Sequence, residues 1–566
     1  MILLLAQLVS PTIQPGPARV PERVPNQQPP FPAQPDSKTT PSLTLPSNEI
    51  LMPAAEESLP AGSDDSAPIN AVNVEGTLPY SKDELYGILK RCNKVNDQTS
   101  RLQQCAEALT GRLQKDGYVT SRVFIEHHLG PGKLTVVMGR LVELRVESES
   151  AALEQRVRQR LRPLISRVLN LPDLQQQLKL LKQLSVVGTV TGSLGKLGSD
   201  PTQAVLNLVV TPASQNWRGD LSMSNDGNPG SGEWRSVAVL QKPTFLIVGD
   251  VLQVYGELNS DGDPELSTAL GSISYSYPIN ESWQLSGSLG ASQRKLVEAK
   301  GAASGLSFHQ LQALAQLQWT FVESASQSWY VLAGLSVNRN KSYLDGESVP
   351  LIIGGGPDGD LTSGYLRLGL GHVGNKSNLG WSAQIYGLQG MGVLSSQTQL
   401  EDFSLFGIQP GEARALGGVA LLGWSLKPNL QLNLRASSQR AFNELTSDMG
   451  FSLGSDVGLR GLPGTLISGD NGWLSTGELD WMFWQSSNHS LQLVPFIGMG
   501  YIQTTRDSVT FDDKIGTCGI LLRWLQGKHW SLELGWIDQL NAEDNDGSWN
   551  EWLLGYGAYG KVRYRF

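Results

Sequence analysis

From about residue 217 to the last residue, apolar side chains recur at every second position in one segment after another. Ile273, Tyr275 and Tyr277 alternate in GSISYSYPI, Trp283, Leu285, Gly287 and Leu289 in ESWQLSGSLG, and Ala313, Ala315, Leu317, Trp319 and Phe321 in LQALAQLQWTF. Leu430, Leu432 and Leu434 follow the same rule, as do Leu532, Leu534 and Trp536 in WSLELGWIDQ. Successive side chains of a strand point to opposite faces, so each segment is a strand with one apolar face and one face of Ser, Gln, Asn and Arg. Alternation alone fits a sandwich, with apolar faces inward, and a membrane barrel, with apolar faces toward lipid. Three features favour the barrel. A span of roughly 350 residues is too long for one sandwich. Aromatic residues recur near strand ends, as an interfacial girdle requires. The chain stops on an aromatic residue inside a strand, GKVRYRF, with Val562, Tyr564 and Phe566 on one face. An even strand number and strands of about 9–11 residues plus turns then predict about 16 strands.

The 62 glycines and the charged fraction of 17 % suit many strands and turns. A net charge of −9 argues against a nucleic-acid partner, because such binding draws on a basic surface. No window of 18 apolar residues occurs, which excludes an ordinary transmembrane helix and leaves strands as the means of crossing a bilayer.

Ahead of the barrel the pattern differs. Residues 1–68 read as an atypical or truncated signal and a Pro-rich linker: MILLLAQLV has no Lys or Arg before its apolar stretch, so either the signal is unusual or the true start lies upstream of Met1. Pro recurs through 11–68 with no periodic apolar face, which predicts an extended segment. Residues 69–140 and 141–213 each read as strand, helix, helix, strand, strand, an internal repeat of the size of a docking module. In the second, Leu171, Leu174, Leu178 and Leu181 share a helix face and Pro172 sits in the first turn. Of the three cysteines, Cys92 and Cys105 form either one bridge, which requires an oxidising compartment, or two packed thiols.

Apparent enzyme signatures are weak. GGGPDG (354–359) satisfies GxGxxG but precedes the strand YLRLGLG rather than a helix, so no helix N-terminus faces a pyrophosphate. The acidic run 541–551 lacks EF-hand spacing, and His127-His128 have no third ligand in reach. No Ser-His-Asp set is recognisable. The expectation is a protein without catalysis, cofactor or metal.

One loop stands apart. SDVGLRGLPGTLISGDNGW (455–473) carries Arg460 between Gly458 and Gly461. In the lumen of a wide barrel its guanidinium would want a carboxylate fork, whereas spacing alone fits a solvated surface arginine as well.

Two α/β units and a barrel, GLRGLPG on a loop after a late strand, Glu478 in STGELDW, then GTCGILLRW, WSLELGW and a terminal YRF resemble the two-partner secretion transporters (TpsB, the haemolysin activation and secretion family) over about residues 69–566. DGYVTSRVF (116–124) is similar to the corresponding helix end and strand of the family's first POTRA domain. The resemblance implies α+β POTRA domains in the periplasm and an antiparallel barrel in the outer membrane of a Gram-negative-type bacterium. It also implies a translocation pore that exports a large TpsA-like, β-helical exoprotein recognised by the POTRA domains, without nucleotide hydrolysis. The alternative within the superfamily is an outer-membrane insertase. Further implied partners are the lipid bilayer and the barrel-assembly machinery, which would read Val562, Tyr564 and Phe566 as an insertion signal.

The sequence departs from the family pattern twice. The loop signature Val/Ile-Arg-Gly-Tyr/Phe stands here as Leu459-Arg460-Gly461-Leu462. The strand signature Phe-x-Asp-x-Gly stands as Phe496-Ile497-Gly498-Met499-Gly500, with Gly498 in place of the aspartate that holds the loop arginine in the family. Arg460 therefore needs another acceptor, Glu478, Asp480 and Asp538 being candidates, or the lock is looser. Gly498→Asp is expected to tighten the loop by restoring the family residue.

Overall fold

Inverted burial governs the larger part of the computed structural model, in which the polar faces of the alternating strands are the covered ones. The structure describes residues 42–44, 72–90, 92–95, 97–126, 132–184, 186–227, 232–260, 266–295, 305–324, 326–455, 458–462, 467–506, 509–540 and 557–566. His127-His128 and the acidic run 541–551 lie outside the described residues. The described residues fall into two compact units, one within 37–215 and one within 216–566.

In the second unit sixteen main strands, from Arg218–Ser224 to Ala558–Arg565, close into an antiparallel barrel, with the two-residue strand Glu347–Ser348 as an addition at the rim. Gln310, Gln316, Ser336, Asn338, Asn340 and Gln384 are buried toward the interior, whereas Leu289, Leu311, Ile385 and Trp536 stand exposed on the outside. A soluble sandwich would bury the second set and solvate the first. This distribution is that of a barrel whose outer surface meets hydrocarbon and whose lumen is polar.

Turns at one end are short, such as 377–378, 428–429, 486–488 and 527–529, while loops at the other end include 391–413 and the described residues of 442–470. Beside the short turns, aromatic rings meet across strand pairs: Trp283 stacks on Trp319 at 5.6 Å, Trp329 on His372 at 4.2 Å and His489 on Trp524 at 5.7 Å, and Trp530 meets Tyr564 at 4.7 Å. Such rings, apolar in body and polar at the tip, suit the membrane–water boundary. At the turn 244–250, the Asp250 carboxylate accepts from the N–H groups of Phe245 (2.6 Å), Leu246 (2.9 Å) and Ile247 (3.1 Å) and from the Tyr275 hydroxyl (2.6 Å).

Closure joins the sixteenth strand to the first by five residue pairs, Lys561↔Ser224 to Arg565↔Asp220. Gly219 and Phe566 exchange both backbone hydrogen bonds, at 3.0 and 3.1 Å, and the Asp220 side chain meets Arg563 and Arg565.

The first unit contains the repeat. Strands Asn73–Glu75, Arg122–Glu126 and Lys133–Val137 form a sheet in which the third lies between the other two, parallel to the first and antiparallel to the second. Arg140–Glu147, Val187–Leu197 and Asp200–Pro212 repeat that topology. Each repeat carries two helices, Lys82–Leu89 and Gln98–Lys115 in the first, Ala151–Leu161 and Leu171–Gln183 in the second. Their starts follow capping chemistry: Ser81 and Glu84 form a reciprocal box, and the Asp97, Ser150 and Asn170 side chains accept from N–H groups of the first turn. Cys92 and Cys105, with Cα atoms 5.2 Å apart, form a disulfide within the core of the first repeat.

The linker reading needs one amendment. Within 11–68, Ser42–Thr44 is a strand, parallel to Thr191–Ser193 at the edge of the second repeat's sheet. No periodicity announced it, because three residues cannot establish a period.

Candidate functional site

Loop 442–470 turns back into the barrel. It joins strand Leu430–Ala441 to strand Asn471–Gln485 and carries its own hairpin, Phe451–Leu453 against Ile467–Gly469. Leu445 and Met449 pack on the wall with Tyr365, Leu388, Ala413 and Ala415. Phe451, Leu453, Leu459 and Leu462 join Leu474, Ile502 and Ile515 four strands further round the wall. The Ser455 hydroxyl lies 3.3 Å from Nη1 of Arg235, whose guanidinium forms a buried fork with Glu257 at 2.9 and 2.8 Å.

Glycines let the loop approach the wall. Gly458 (φ +113°) and Gly461 (φ +81°) adopt backbone that L side chains rarely take, and a Cβ on Gly461 would stand 2.7 Å from Cγ2 of Ile537. Between them Arg460 extends along the lumen face. Its Nε and Nη2 reach Oε1 and Oε2 of Glu478 at 2.6 and 3.0 Å, and its Nη1 reaches Oε2 of Glu533 at 3.2 Å. The guanidinium carbon lies 5.9 Å from the centre of the Phe496 ring.

The ion pairs continue down the wall. Oε1 of Glu533 accepts from Nε of Arg523 at 2.7 Å, and Nη1 of Arg523 reaches Oδ1 of Asp480 at 2.9 Å. Glu478, Arg460, Glu533, Arg523 and Asp480 thus alternate in sign along one chain, drawn from the loop and three strands. Arg460 and Glu478 keep 21 % and 23 % of their side-chain exposure, Glu533 only 11 %. This intermediate wetness puts the pairs between the strong coupling of a dry site and the small value of a surface bridge.

Of the three acceptors proposed from sequence, Glu478 contacts Arg460. Asp480 pairs with Arg523 instead, and Asp538 contacts neither arginine: its carboxylate accepts from the N–H of Gln539. Alternation explains the correction for Asp538, which shares the parity of the exposed Leu534 and Trp536, while Glu533 and Ile537 share the lumen parity. Glu533, missed from sequence, was legible in WSLELGW by that rule.

The expectation for Gly498 also changes. A Cβ there would lie 2.8 Å from Cδ2 of Leu459 and 3.2 Å from Cγ2 of Thr476. Leu459, fully buried, fills the position where a longer side chain would stand, and Gly500 makes the same room for Leu453 at 2.7 Å. An aspartate at 498 would therefore collide with the loop rather than tighten it. Val562, Tyr564 and Phe566 lie on the closing strand and its end, with Val562 and Phe566 exposed and Tyr564 in the ring cluster with Trp530. Among the described residues, no group of three or more His, Cys, Asp or Glu side chains is placed to hold a metal ion.

Comparison with known proteins follows the same lines. No curated protein matches this chain. CdiB from Escherichia coli is similar in structure at a TM-score of 0.65 and 19 % identity, covering 92 % of this chain and 95 % of that one. CdiB from Acinetobacter baumannii gives 0.59 and 17 %, with the same coverage. BamA from Haemophilus ducreyi lacking POTRA domains 1–3 gives 0.50 and 14 %, covering 88 % of this chain and 99 % of that one. Residues 67–139 match the ShlB-type POTRA domain, and residues 203–520 match the haemolysin secretion/activation proteins. With more than half its length matched, this chain belongs to the haemolysin secretion/activation protein family ShlB/FhaC/HecB, outer-membrane barrels that translocate protein and carry POTRA domains in the periplasm.

Proposed function

We propose that the barrel is a passive export pore for a large, secreted, β-helical partner, and that loop 442–470, held by Arg460, is its movable obstruction. One observation carries the reading: a loop drawn into the lumen is tied to the wall by a ladder of alternating charges. Ion pairs suit a reversible tie. When they part in a wet lumen, water solvates both ends, and the same partners are present for return. The neighbouring apolar anchors, Leu459 and Leu462, set the resting position of the loop.

The energy for export comes from the cargo. The chain carries no nucleotide-binding signature, and each coil of a β-helix that folds outside buries backbone and apolar groups left open during passage. The repeats of the first unit supply recognition: an unfolded segment adds to a sheet edge, main chain giving affinity and side-chain pockets giving selectivity.

The test joins conductance to export. In planar bilayers, deletion of the loop residues 455–469, which spares the wall strand Asn471–Gln485, raises or destabilises conductance, and Arg460→Ala lowers export of a co-expressed secreted partner while barrel insertion survives. If the deletion leaves both conductance and export unchanged, the pore reading fails. Loss of other outer-membrane barrels from cells carrying Arg460→Ala would favour the insertase reading.

A further inference from the structure

The sheet of the second repeat contains a strand foreign to that repeat. Ser42, Leu43 and Thr44 run parallel to Thr191, Gly192 and Ser193, along the edge of Val187–Leu197 that Asp200–Pro212 leaves open. The counterpart edge in the first repeat, Arg122–Glu126, has no such neighbour among the described residues. An open edge is a row of unpaired N–H and C=O groups, ready for any extended chain.

Three features make Ser42–Thr44 a weak occupant. Among the described residues it covers three of the eleven positions of the edge strand. Pro41 and Pro46 bracket it in PSLTLP, so a longer ladder would meet residues without an N–H. Its pairing is parallel, the less stable arrangement per residue. Attachment compensates, because a tethered segment meets its site at an effective concentration in about the millimolar range.

We infer that the Val187–Leu197 edge is an exchange site for extended polypeptide, held in the resting chain by residues 42–44 and surrendered to a longer incoming strand. The incoming strand starts on edge residues outside Thr191–Ser193, the three that 42–44 pair, and then displaces the tethered segment along the ladder. Val190 and Leu194 face the core and Thr189, Thr191 and Ser193 face outward, so the edge favours an alternating, proline-free segment. The identity of that strand as part of the exported partner rests on the export reading; the occupancy by 42–44 rests on register alone.

The experiment uses the full chain with Cys518→Ser and the Cys92–Cys105 bridge intact. Ser42→Cys with Thr191→Cys cross-links on oxidation, and adding Leu43→Pro with Thr44→Pro, which removes two adjacent N–H groups, lowers the yield at least about fivefold. The probe is an eleven-residue alternating Thr-Val peptide with one cysteine. Thr191→Cys captures it at least about fivefold more in the double-proline chain than in the parent, because the tethered competitor is gone. Absence of the Ser42–Thr191 cross-link, or equal peptide capture with and without the prolines, overturns the inference. Neither readout involves conductance or export, so failure of the pore reading would leave these results in place and be seen separately.

Discussion

Glu478 and Glu533 share one guanidinium, so the residue scale has a definite sign. Arg460→Ala leaves Glu478 without its guanidinium and Glu533 with Arg523 alone, a cost between the about 3–5 kcal/mol of a dry pair and the under about 1 kcal/mol of a wet one. Arg460→Lys keeps the charge but not the fork, so its defect in export is smaller than that of Ala and larger than that of the parent. Side-by-side export assays of the three proteins check the order. At Gly498 the opposite of restoration is expected. Gly498→Asp loosens the loop in the parent, and the effect shrinks in a Leu459→Ala background, where the methyl groups it meets are gone. Protease accessibility of the loop measures both; equal loosening in the two backgrounds would show that positions 498 and 459 do not meet. The acceptor Glu533 was within reach of sequence reasoning, since Leu532, Leu534 and Trp536 define the outward parity and leave position 533 inside. What parity cannot supply is the choice between Glu478 and Asp480. Both face the lumen, and only the position of Arg523, 2.9 Å from Asp480, decides it.

At the scale of elements, two local devices have measurable consequences. Burial alone would raise the carboxyl of Asp250, but the Tyr275 hydroxyl and the N–H groups of Leu246, Ile247 and Phe245 outweigh it and hold the group below the usual carboxylate range. A carboxyl lowered on folding contributes stability above its unfolded value, and that contribution is lost as pH falls through the folded one. The protection factors of the Leu246 and Ile247 amides, exchange measured against the intrinsic rate at each pH, therefore fall below about pH 4, and Asp250→Asn lowers them already at neutral pH. The disulfide in the first repeat closes a loop with a sequence separation of 13, for which chain entropy gives about 3 kcal/mol. Reduction lowers the unfolding midpoint of that repeat, and in the folded, non-reduced protein a thiol label reacts with neither Cys92 nor Cys105. The helices and strands of both repeats were legible because their apolar spacing is regular and their caps are conventional. Ser42–Thr44 was not, because its partner lies about 150 residues away and its own sequence carries no period.

For the whole molecule, the decisive evidence was compositional contrast between faces rather than overall hydrophobicity. The alternation pointed to a barrel, and the strand lengths and turns gave its approximate size; the structure closes it with sixteen main strands. The seam is the shortest contact in the ring, five residue pairs against seventeen between Leu306–Glu323 and Gln327–Leu344. The Asp220 carboxylate, shared by Arg563 and Arg565, supplements it. Asp220→Ala should lower the temperature at which the barrel loses its compact mobility in detergent gels, whereas Glu347→Ala, at the rim, should not. That seam also fixes an order of events in time. Asp220 must find Arg563 across a separation of 343 residues, so the first strand is made, delivered and left edge-exposed until the sixteenth arrives. Throughout that interval the outer edge of the first strand is open to any other extended chain, and how long it can be kept from such pairing bears on the yield of closed barrel.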